Sequence, residues 1–319
     1  MRSDSRSEER LIELIQKTAK TRGHLRVGIG DDACVTGNGT VITTDAYAEG
    51  VHFTPDNMTY KQVGFRCACA AASDVVAMGA MPEVVLVSLA LPGDINSAKV
   101  RALYTGIEGA CSRLKCEVGG GDIISARQLI LALTVTGRLV TRGKRPRLRS
   151  MARPGHGLYI TGYPGLAEAG RQVLELGLGQ RTYAAAVNRH TDPLPRTEVV
   201  AAIGDRIHAM IDTSDGIATD ANHIALQSKV KVVVENDCIP IHGMLSELGI
   251  KLGFEPVEFA LKSGEDHELL FTSSGHIPDK VKGLPLTRIG RIERGSGLFL
   301  DTRGTQEKVR IRGFDHFRR

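Results

Sequence analysis

Tryptophan is absent from the sequence, and only 4% of its 319 residues are aromatic. A chain with so few rings is poorly suited to bind single-stranded nucleic acid by stacking bases on its side chains. The longest apolar run, Val84–Leu91, has eight residues, whereas a bilayer-spanning helix needs about 20. The N-terminus is polar and carries both signs of charge, so we expect no secretory signal peptide. We predict that neither nucleic acid nor membrane is a partner.

The sequence also lacks the paired cysteines of zinc sites and disulfide frameworks. None of its six cysteines forms a C-x-x-C pair, so we predict free, reduced thiols in a cytoplasmic protein. The standard nucleotide motifs are missing as well. The stretch 137–145 has the wrong spacing for a P-loop and carries arginine where serine or threonine must bind Mg²⁺. G-x-G-x-x-G and the protein-kinase motifs are absent too, so a nucleotide would have to be bound in another way.

Acidic residues are missing from one long stretch. Between Ile123 and Ala167 there is no Asp or Glu but there are eight Arg and Lys residues, so the rest of the chain has a net charge of −3 although the whole chain has +5. The remaining composition, 42% hydrophobic and 24% charged, is typical of a soluble protein with a core. The length favours two domains.

Strand-like and helical patterns alternate along the chain and indicate a mixed α/β fold. The predicted helices cover residues 8–20, 60–78, 98–114, 166–176 and 218–227. The predicted strands cover residues 41–44, 84–91, 129–135, 158–161, 232–234 and 269–271. The basic segment 138–157, rich in Gly, Arg and Pro, predicts a junction between an N-terminal domain (1–137) and a C-terminal domain (158–319).

Aspartates recur beside glycine or hydroxyl residues at the ends of apolar runs. The five places are Gly28–Asp32, Thr43–Asp45, Ser73–Asp74, Gly119–Asp122 and Asp212–Gly216. A strand fixes the direction of a carboxylate that follows it, and glycine lets a ligand approach the backbone closely. A single such residue would be interpreted as a helix cap or a turn. Five of them predict carboxylates that converge on a cleft.

Converging carboxylates repel one another and therefore require cations. Hard oxygen ligands favour Mg²⁺ or Ca²⁺ over Zn²⁺, and protein-bound Mg²⁺ commonly binds substrate phosphates. The other side of a polyphosphate needs positive charge and backbone N–H groups, for which Gly119–Gly121 and the basic segment are candidates. The residues thus predict metal-assisted phosphoryl or nucleotidyl transfer.

The order and spacing of these motifs resemble the thiamine-monophosphate kinase family. Its superfamily also includes aminoimidazole ribonucleotide synthetase, selenophosphate synthetase and a hydrogenase maturation factor. The resemblance extends from Gly28 to Phe317 and rests on the stretches GIGDDAC (28–34), TTDAYAEGVHF (43–53), ASDVVAMGAMPEVVLVSLALP (72–92), GGGD (119–122), VNRHTDPLPR (187–196), DTSDGIATD (212–220), SGEDHELLFT (263–272) and GFDHF (313–317).

This resemblance implies a two-domain fold in which the N-terminal sheet joins that of a second subunit in a barrel, so that the protein is a homodimer. An α/β domain follows, and the ATP site lies between the domains near the dimer interface. The implied reaction is ATP-dependent phosphorylation of thiamine monophosphate to thiamine diphosphate. It proceeds by direct in-line transfer with several Mg²⁺ ions, a chemistry that needs mainly positioning and charge neutralisation from the protein.

The resemblance also implies roles for individual residues. The implied metal ligands are Asp32, Thr43, Thr44, Asp45, Asp74, Asp122, Asp212 and Asp215. The implied ATP contacts are Tyr104, Gly121, Asp122, Arg149 and Ser214. The implied contacts to the thiamine moiety are His52, Glu265 and Phe314, of which the carboxylate and the aromatic face suit a cationic thiazolium. We expect the carboxylates closest to the chemistry to be Asp31, Asp45, Asp122 and Asp215.

The chain departs from the family pattern at a few positions. Ile123 replaces a threonine, His156 an aspartate, and Leu166-Ala167 an Asp-Ser pair; Ser263 and His267 replace a glycine and a tyrosine. None of these changes removes an implied metal ligand. The last two flank the implied acceptor pocket, so the acceptor is less firmly implied than the use of ATP.

Several alternatives stay open at this point. The fold would also suit an ATP-dependent cyclo-ligase of the aminoimidazole ribonucleotide synthetase type, a kinase with another acceptor, or a nucleotide-binding protein without catalysis. Asp266 and Glu268 are interpreted as a solvated face before a strand. His190 is an open candidate for a phosphate contact, and the arginines other than Arg149 are unassigned.

Overall fold

The computed structural model describes residues 8–20 and 22–309. The α-helices in this part of the chain are α1 (Glu8–Thr18), α2 (Tyr60–Ala77), α3 (Ser97–Leu114), α4 (Leu166–Glu175), α5 (Ala184–Thr191), α6 (Thr197–Ile203), α7 (Ile217–Ser228), α8 (Gly243–Leu252) and α9 (Pro256–Lys262). The strands are β1 (Leu25–Val27), β2 (Cys34–Thr36), β3 (Thr40–Ala48), β4 (Ala80–Pro92), β5 (Glu117–Ala126), β6 (Ile130–Leu139), β7 (Gly157–Thr161), β8 (Met210–Asp212), β9 (Lys231–Glu235), β10 (Leu269–Ser273), β11 (Lys280–Val281), β12 (Leu284–Glu293), β13 (Gly297–Thr302) and β14 (Thr305–Lys308). The predicted mixed α/β class is confirmed.

The first sheet has the strand order β1-β2-β3-β6-β4-β5. Its neighbours are antiparallel except β4 and β5, which are parallel and joined by α3. Helix α2 packs on this sheet and begins with a capping box, in which the side chains of Thr59 and Gln62 each accept a hydrogen bond from the other's backbone N–H. Its buried alanines, such as Ala68, Ala71 and Ala72, have short side chains, which lets the helix lie close to the strands.

Strand β5 is an edge strand that the hydrophobic pattern did not predict. Three consecutive glycines weaken a strand pattern, because glycine has low strand propensity and no side chain to pack. At Gly121 a Cβ atom would lie 1.7 Å from the carbonyl oxygen of Val87 on β4. The glycine thus permits the two backbones to pair closely, and it places Asp122 on the exposed edge of the sheet.

The second sheet has the order β14-β13-β9-β12-β7-β10-β8, with β11 paired to β12. All of its pairs are antiparallel except β9 with β13. Each sheet has its own core, and a third cluster joins the two parts of the molecule: Val76 and Ala77 of α2 pack with Val199, Met210 and Phe271 of the second half. Among the described residues, no helix combines the length and apolar character needed to cross a bilayer.

The basic segment connects the two sheets, since β6 ends at Leu139 and β7 begins at Gly157. It is tied to the C-terminal half, because the backbone N–H of Arg142 donates to Asp205 at 2.6 Å and that of Ala152 donates to the hydroxyl of Ser228 at 2.9 Å. The segment is therefore more than a solvated linker. The division into domains 1–137 and 158–319 stays a prediction.

Candidate active site

Three of the implied metal ligands meet in one place. Asp32 follows β1, Asp74 lies in α2 and Asp212 ends β8, and each offers a carboxylate oxygen within 4.8 Å of the others. Elements that are distant in the sequence thus bring together the acidic trio, the name used below for Asp32, Asp74 and Asp212. Because they come from both halves of the chain, the trio lies where the halves meet.

Neighbouring side chains hold the trio in position. The hydroxyl of Thr43 donates to Asp74 Oδ2 at 2.6 Å. The guanidinium of Arg149 donates to Asp32 Oδ1 at 2.6 Å, and the backbone N–H of Arg149 donates to Asp31 Oδ1 at 3.4 Å. The basic segment thus contributes one arginine to the acidic site, and the ATP contact that the resemblance implies for Arg149 stays a prediction.

Burial and mutual repulsion make the carboxylates of this region reluctant to ionise. Burial raises the pKa of Asp32 to about 7, with Arg149 opposing and Asp212 adding to the rise. Burial likewise raises the pKa of Asp31 to about 6 and that of Asp74 well above its usual value, the latter reinforced by Asp45 and Asp212. A divalent cation would remove this penalty by replacing the protons.

The donor set fits Mg²⁺. Three carboxylates at one point offer only hard oxygen ligands. Asp32 Oδ2 is buried and has no hydrogen-bond partner, which is costly unless another group binds it. The residues present are therefore those that a magnesium centre needs.

A cavity of about 1110 Å³ adjoins the trio. Asp45, Ser214 and Asp215 line it, as do two implied acceptor contacts, His52 and Glu265. The cavity and the trio are in contact: His267 lines the cavity and its Nδ1 lies 3.2 Å from Asp212 Oδ2. The structure thus brings together most of the predicted site residues in one region.

Glu265 is held in the cavity wall by a strained segment. It has a left-handed φ of 63°, which is uncommon for residues other than glycine. The segment pairs with 213–214, since the Glu265 N–H donates to the Ser214 carbonyl at 2.8 Å. Gly264 is needed for this approach, because a Cβ atom there would lie 2.2 Å from that same carbonyl oxygen.

The carboxylate of Glu265 is ionised. Burial raises its pKa, but the guanidinium of Arg66, 2.7 Å away, outweighs this and holds the pKa below its usual value. Arg66 is itself buried and also donates to the carbonyl of His190 at 2.6 Å. Glu265 is 36% exposed and Arg66 only 4%, so the carboxylate of this ion pair faces the cavity, where it can contact a cationic ligand.

His52 and Asp45 line the cavity from the end of β3. The Nδ1 of His52 accepts a hydrogen bond from the Ala48 N–H at 3.1 Å, so the proton of the neutral ring is on Nε2. Asp45 accepts a hydrogen bond from the hydroxyl of Tyr47 at 2.9 Å. Burial raises the pKa of Asp45, and the Tyr47 hydrogen bond opposes that rise.

A second, shallower cavity of about 670 Å³ contains the other predicted ATP contacts. Tyr104 of α3 faces Gly121 and Asp122 of β5 there, with Ile123 beside them. This cavity does not include Arg149 or the trio. The single chain thus leaves the implied ATP contacts in separate places, with Asp122 outside the trio.

One further implied metal ligand, Thr44, lies apart from the trio. Alternate residues of a strand point to opposite faces, so the Thr44 hydroxyl lies on the other face of β3 from Thr43 and accepts from Thr134 at 3.1 Å. Phe314 lies outside the described residues.

The interpretation of Asp266 and Glu268 as a solvated face is wrong. Each is 1% exposed. Asp266 accepts from the Gly165 and Ala167 N–H groups at the start of α4, at 2.5 and 2.9 Å. Glu268 is paired with Arg189 at 3.1 Å and with Arg196, and breaking such a buried pair costs about 3–5 kcal/mol. Both residues stabilise the wall that carries Glu265.

The residues at which the chain departs from the family pattern lie in different places. Ser263 and His267 line the cavity, and Ile123 lies in the second one. His156 is instead buried under His208, with ring centroids 4.3 Å apart. Leu166 is buried at the start of α4.

His190 lines the cavity as a neutral ring. Burial lowers its pKa to about 3, and the nearby Arg66 adds to the effect. It therefore brings no positive charge to a phosphate.

Sequence reasoning missed Arg66, although a signal was present. It is the only charged residue between Gln62 and Ser73, in an otherwise small and apolar helix segment. A charge in such a helix needs a partner, and that partner is Glu265. Arg171 and Lys262 also line the cavity. Each pairs with a glutamate three or four residues earlier in its helix, so the sequence around them does not distinguish them from ordinary surface ion pairs.

Known proteins are similar to this chain in both sequence and structure. A family model for the N-terminal domain of AIR synthase related proteins matches residues 30–139. The thiamine-monophosphate kinase of Aquifex aeolicus (strain VF5) is 34% identical over 99% of this chain and 100% of its own length. That of Bacillus subtilis (strain 168) is 32% identical over 97% and 98%.

Solved structures agree. "AaThiL complexed with AMPPCP and TMP" is similar with a TM-score of 0.88, at 34% identity and over 99% of both chains. The hydrogenase maturation protein HypE of E. coli is similar with a TM-score of 0.68 over 85% of both chains, but at 17% identity, which speaks for a shared fold alone. With near-complete coverage of relatives more than 30% identical, this chain belongs to the thiamine-monophosphate kinase family.

Proposed function

We propose that this protein transfers the γ-phosphoryl group of ATP to thiamine monophosphate, giving thiamine diphosphate and ADP. One observation carries the proposal: the acidic trio adjoins a large cavity in which Glu265 is ionised. Three carboxylates can bind a metal ion that in turn binds phosphate groups, and a cavity with an ionised carboxylate can bind an organic cation. Family membership and the similarity to a structure complexed with AMPPCP and TMP support the same reaction.

The acceptor makes a protein base unnecessary. A phosphate monoester has its second pKa near 6, so its attacking oxygen is already ionised at neutral pH. The remaining problem is the repulsion between two polyanions, which requires positioning and charge neutralisation. A site built from carboxylates, metal and a few cations, without a catalytic histidine, is therefore sufficient.

We assign the metal to the trio, with Asp45, Asp215 and Asp122 as further ligands and Thr43 and Asp31 close by. Bound there, Mg²⁺ would supply charge neutralisation on the transferred phosphoryl group. Arg149 is the side chain that we expect to meet ATP, together with Ser214. Its salt bridge to Asp32 keeps the guanidinium beside the trio.

Glu265 and His52 would hold the acceptor on the opposite side of the cavity. The ionised carboxylate offers charge to the thiazolium, and the Nε2–H of His52 offers one donor. Lys262 and Arg171 also line the cavity and contribute positive charge near an anionic acceptor. Phe314 is assigned an aromatic contact on the resemblance alone.

A homodimer and a cytoplasmic location complete the proposal. The edge strand β5 exposes two large apolar side chains, Ile123 and Ile124, at 61% and 58%, which supports association through this strand. The second cavity, with Tyr104, Gly121 and Asp122, lies on the same strand and helix. A barrel formed across the dimer would explain why these ATP contacts lie apart from the trio in the single chain.

An acceptor panel tests the proposed function. The protein is incubated with Mg²⁺ and ATP and with thiamine monophosphate, thiamine or formylglycinamidine ribonucleotide, and products are separated by chromatography. We expect thiamine diphosphate from thiamine monophosphate alone. Turnover only with the ribonucleotide would identify a cyclo-ligase instead, and nucleotide binding without turnover of any acceptor would identify a non-catalytic protein.

A further inference from the structure

We propose that His267 is a positioning residue that fixes the metal ligand Asp212 from the acceptor side of the site. The inference rests on the proposed function, because it assigns Asp212 to the metal centre. It goes beyond that function in giving a role to a residue to which the resemblance assigned none.

The contact is within hydrogen-bond distance and is shielded from solvent. His267 Nδ1 lies 3.2 Å from Asp212 Oδ2, and the two side chains are 9% and 4% exposed. A hydrogen bond between groups so well shielded from water is not weakened by competition with solvent. The carboxylate of Asp212 therefore has one oxygen bound by the ring, and its other oxygen can face a cation.

The backbone is shaped to place this ring. His267 has a left-handed φ of 47°, the second such residue in the segment after Glu265 at 63°. The His267 N–H donates to the carbonyl of Thr213 at 2.9 Å, so the segment runs directly beside the strand end that carries Asp212. Strained backbone of this kind clusters at functional sites.

Neighbouring contacts prevent the segment from relaxing. Thr213 bonds Glu268 twice, since its N–H donates to the Glu268 carbonyl at 2.8 Å and its hydroxyl accepts from the Glu268 N–H at 3.0 Å. Glu268 is in turn paired with Arg189 and Arg196. The buried ion pairs of Glu268 thus hold the backbone next to His267 in place, and with it the position of the imidazole.

His267 also lines the cavity, so one ring touches both the metal ligand and the space assigned to the acceptor. In the neutral ring, a proton on Nδ1 that is donated to Asp212 leaves Nε2 as a hydrogen-bond acceptor. Outer partners that orient metal ligands in this way change metal affinity by about 10- to 100-fold when they are removed. We expect an effect of that size here.

The test compares variants that keep or lose the Nδ1 donor. His267→Asn places an amide N–H near the position of Nδ1, His267→Gln places one near Nε2, and His267→Phe keeps only the ring. Mn²⁺ affinity of the full chain is measured by electron paramagnetic resonance in the absence of acceptor, and thermal unfolding confirms that each variant folds. His190→Asn, another buried cavity histidine, is the matched control.

We expect His267→Phe and His267→Gln to weaken Mn²⁺ binding by about 10- to 100-fold, with His267→Asn and the control within about threefold of wild type. Equal affinity in the Asn and Gln variants, or wild-type affinity in a folded Phe variant, would overturn the inference. If His267→Phe does not fold, the Asn and Gln pair decides. Wild-type protein that binds no Mn²⁺, or whose binding is insensitive to Asp74→Asn, would instead overturn the metal site of the proposed function and the inference with it.

Discussion

Asp45 and Asp215 are proposed metal ligands outside the trio, and both line the cavity assigned to the acceptor. Replacing either by asparagine removes a negative charge with little change in size, so the metal loses an anionic ligand while the fold is kept. We expect Asp45→Asn and Asp215→Asn each to lower kcat by at least about 100-fold. Steady-state kinetics at saturating Mg²⁺ and thermal unfolding measure the two effects.

Asp94→Asn is the matched control, because Asp94 is an exposed aspartate in the turn after β4. It should behave as wild type. Near-normal turnover in both Asp45→Asn and Asp215→Asn would contradict their assignment to the metal centre.

The aspartates could be predicted from the sequence because each sits in a local motif beside glycine or a hydroxyl residue. Glu268 could not, since its partners Arg189 and Arg196 are more than 70 residues away and only the folded chain brings them near. The left-handed φ of His267 could not be predicted from the sequence either, because no local sequence pattern indicates a left-handed histidine. Thr44 shows a different limit of the motif, which does not reveal that the alternation of β3 places the Thr44 hydroxyl on the other face of the strand from Thr43; its assignment as a metal ligand stays a prediction.

Strand β5 leads to a prediction about assembly. Ile123 is 61% exposed on this edge strand, so a lysine there would place a charge in the proposed interface and leave the core untouched. We expect Ile123→Lys to shift the protein from dimer to monomer, or to raise the dimer dissociation constant by about tenfold or more, because buried unpaired charge is costly. Size-exclusion chromatography with light scattering measures this.

Leu226→Lys is the control, since Leu226 on α7 is also 61% exposed but lies in the other half of the chain. It should remain dimeric. A monomeric wild type, or a dimer unaffected by Ile123→Lys, would show that β5 is not the interface.

Elements with a strong period could be predicted well. The pattern predicted a helix over 60–78, and α2 spans Tyr60–Ala77; it predicted a strand over 84–91, and β4 extends this run to Ala80–Pro92. Short helices such as α6 and α9, with seven residues each, are too brief to establish a period. β5 was missed because its glycines are selected for close pairing with β4 and not for strand propensity.

For the whole molecule, the repulsion within the site links stability, pH and metal. Folding raises the pKa of Asp32 from 3.8 to about 7 and that of Asp31 to about 6. Between pH 3.8 and about 7 the folded state holds protons that the unfolded state releases. The contribution of these two aspartates to stability is therefore present at low pH and is lost as the pH rises through about 7.

We therefore expect Mg²⁺ to stabilise the protein more at pH 8 than at pH 6, because at pH 6 the cation must first displace protons. For one displaced proton the apparent affinity falls about tenfold per pH unit below 7, and the shift in Tm falls with it. Differential scanning calorimetry with and without Mg²⁺ at both pH values measures this, and Asp74→Asn should reduce the difference. An equal Mg²⁺ effect at both pH values would contradict the coupling.

The fate of the γ-phosphorus tests the account most directly. With γ-³²P-labelled ATP, Mg²⁺ and thiamine monophosphate, we predict that the label appears in thiamine diphosphate in a 1:1 ratio to the ADP formed, and that little inorganic phosphate is released. Label that accumulates as inorganic phosphate, with no labelled thiamine diphosphate, would contradict it.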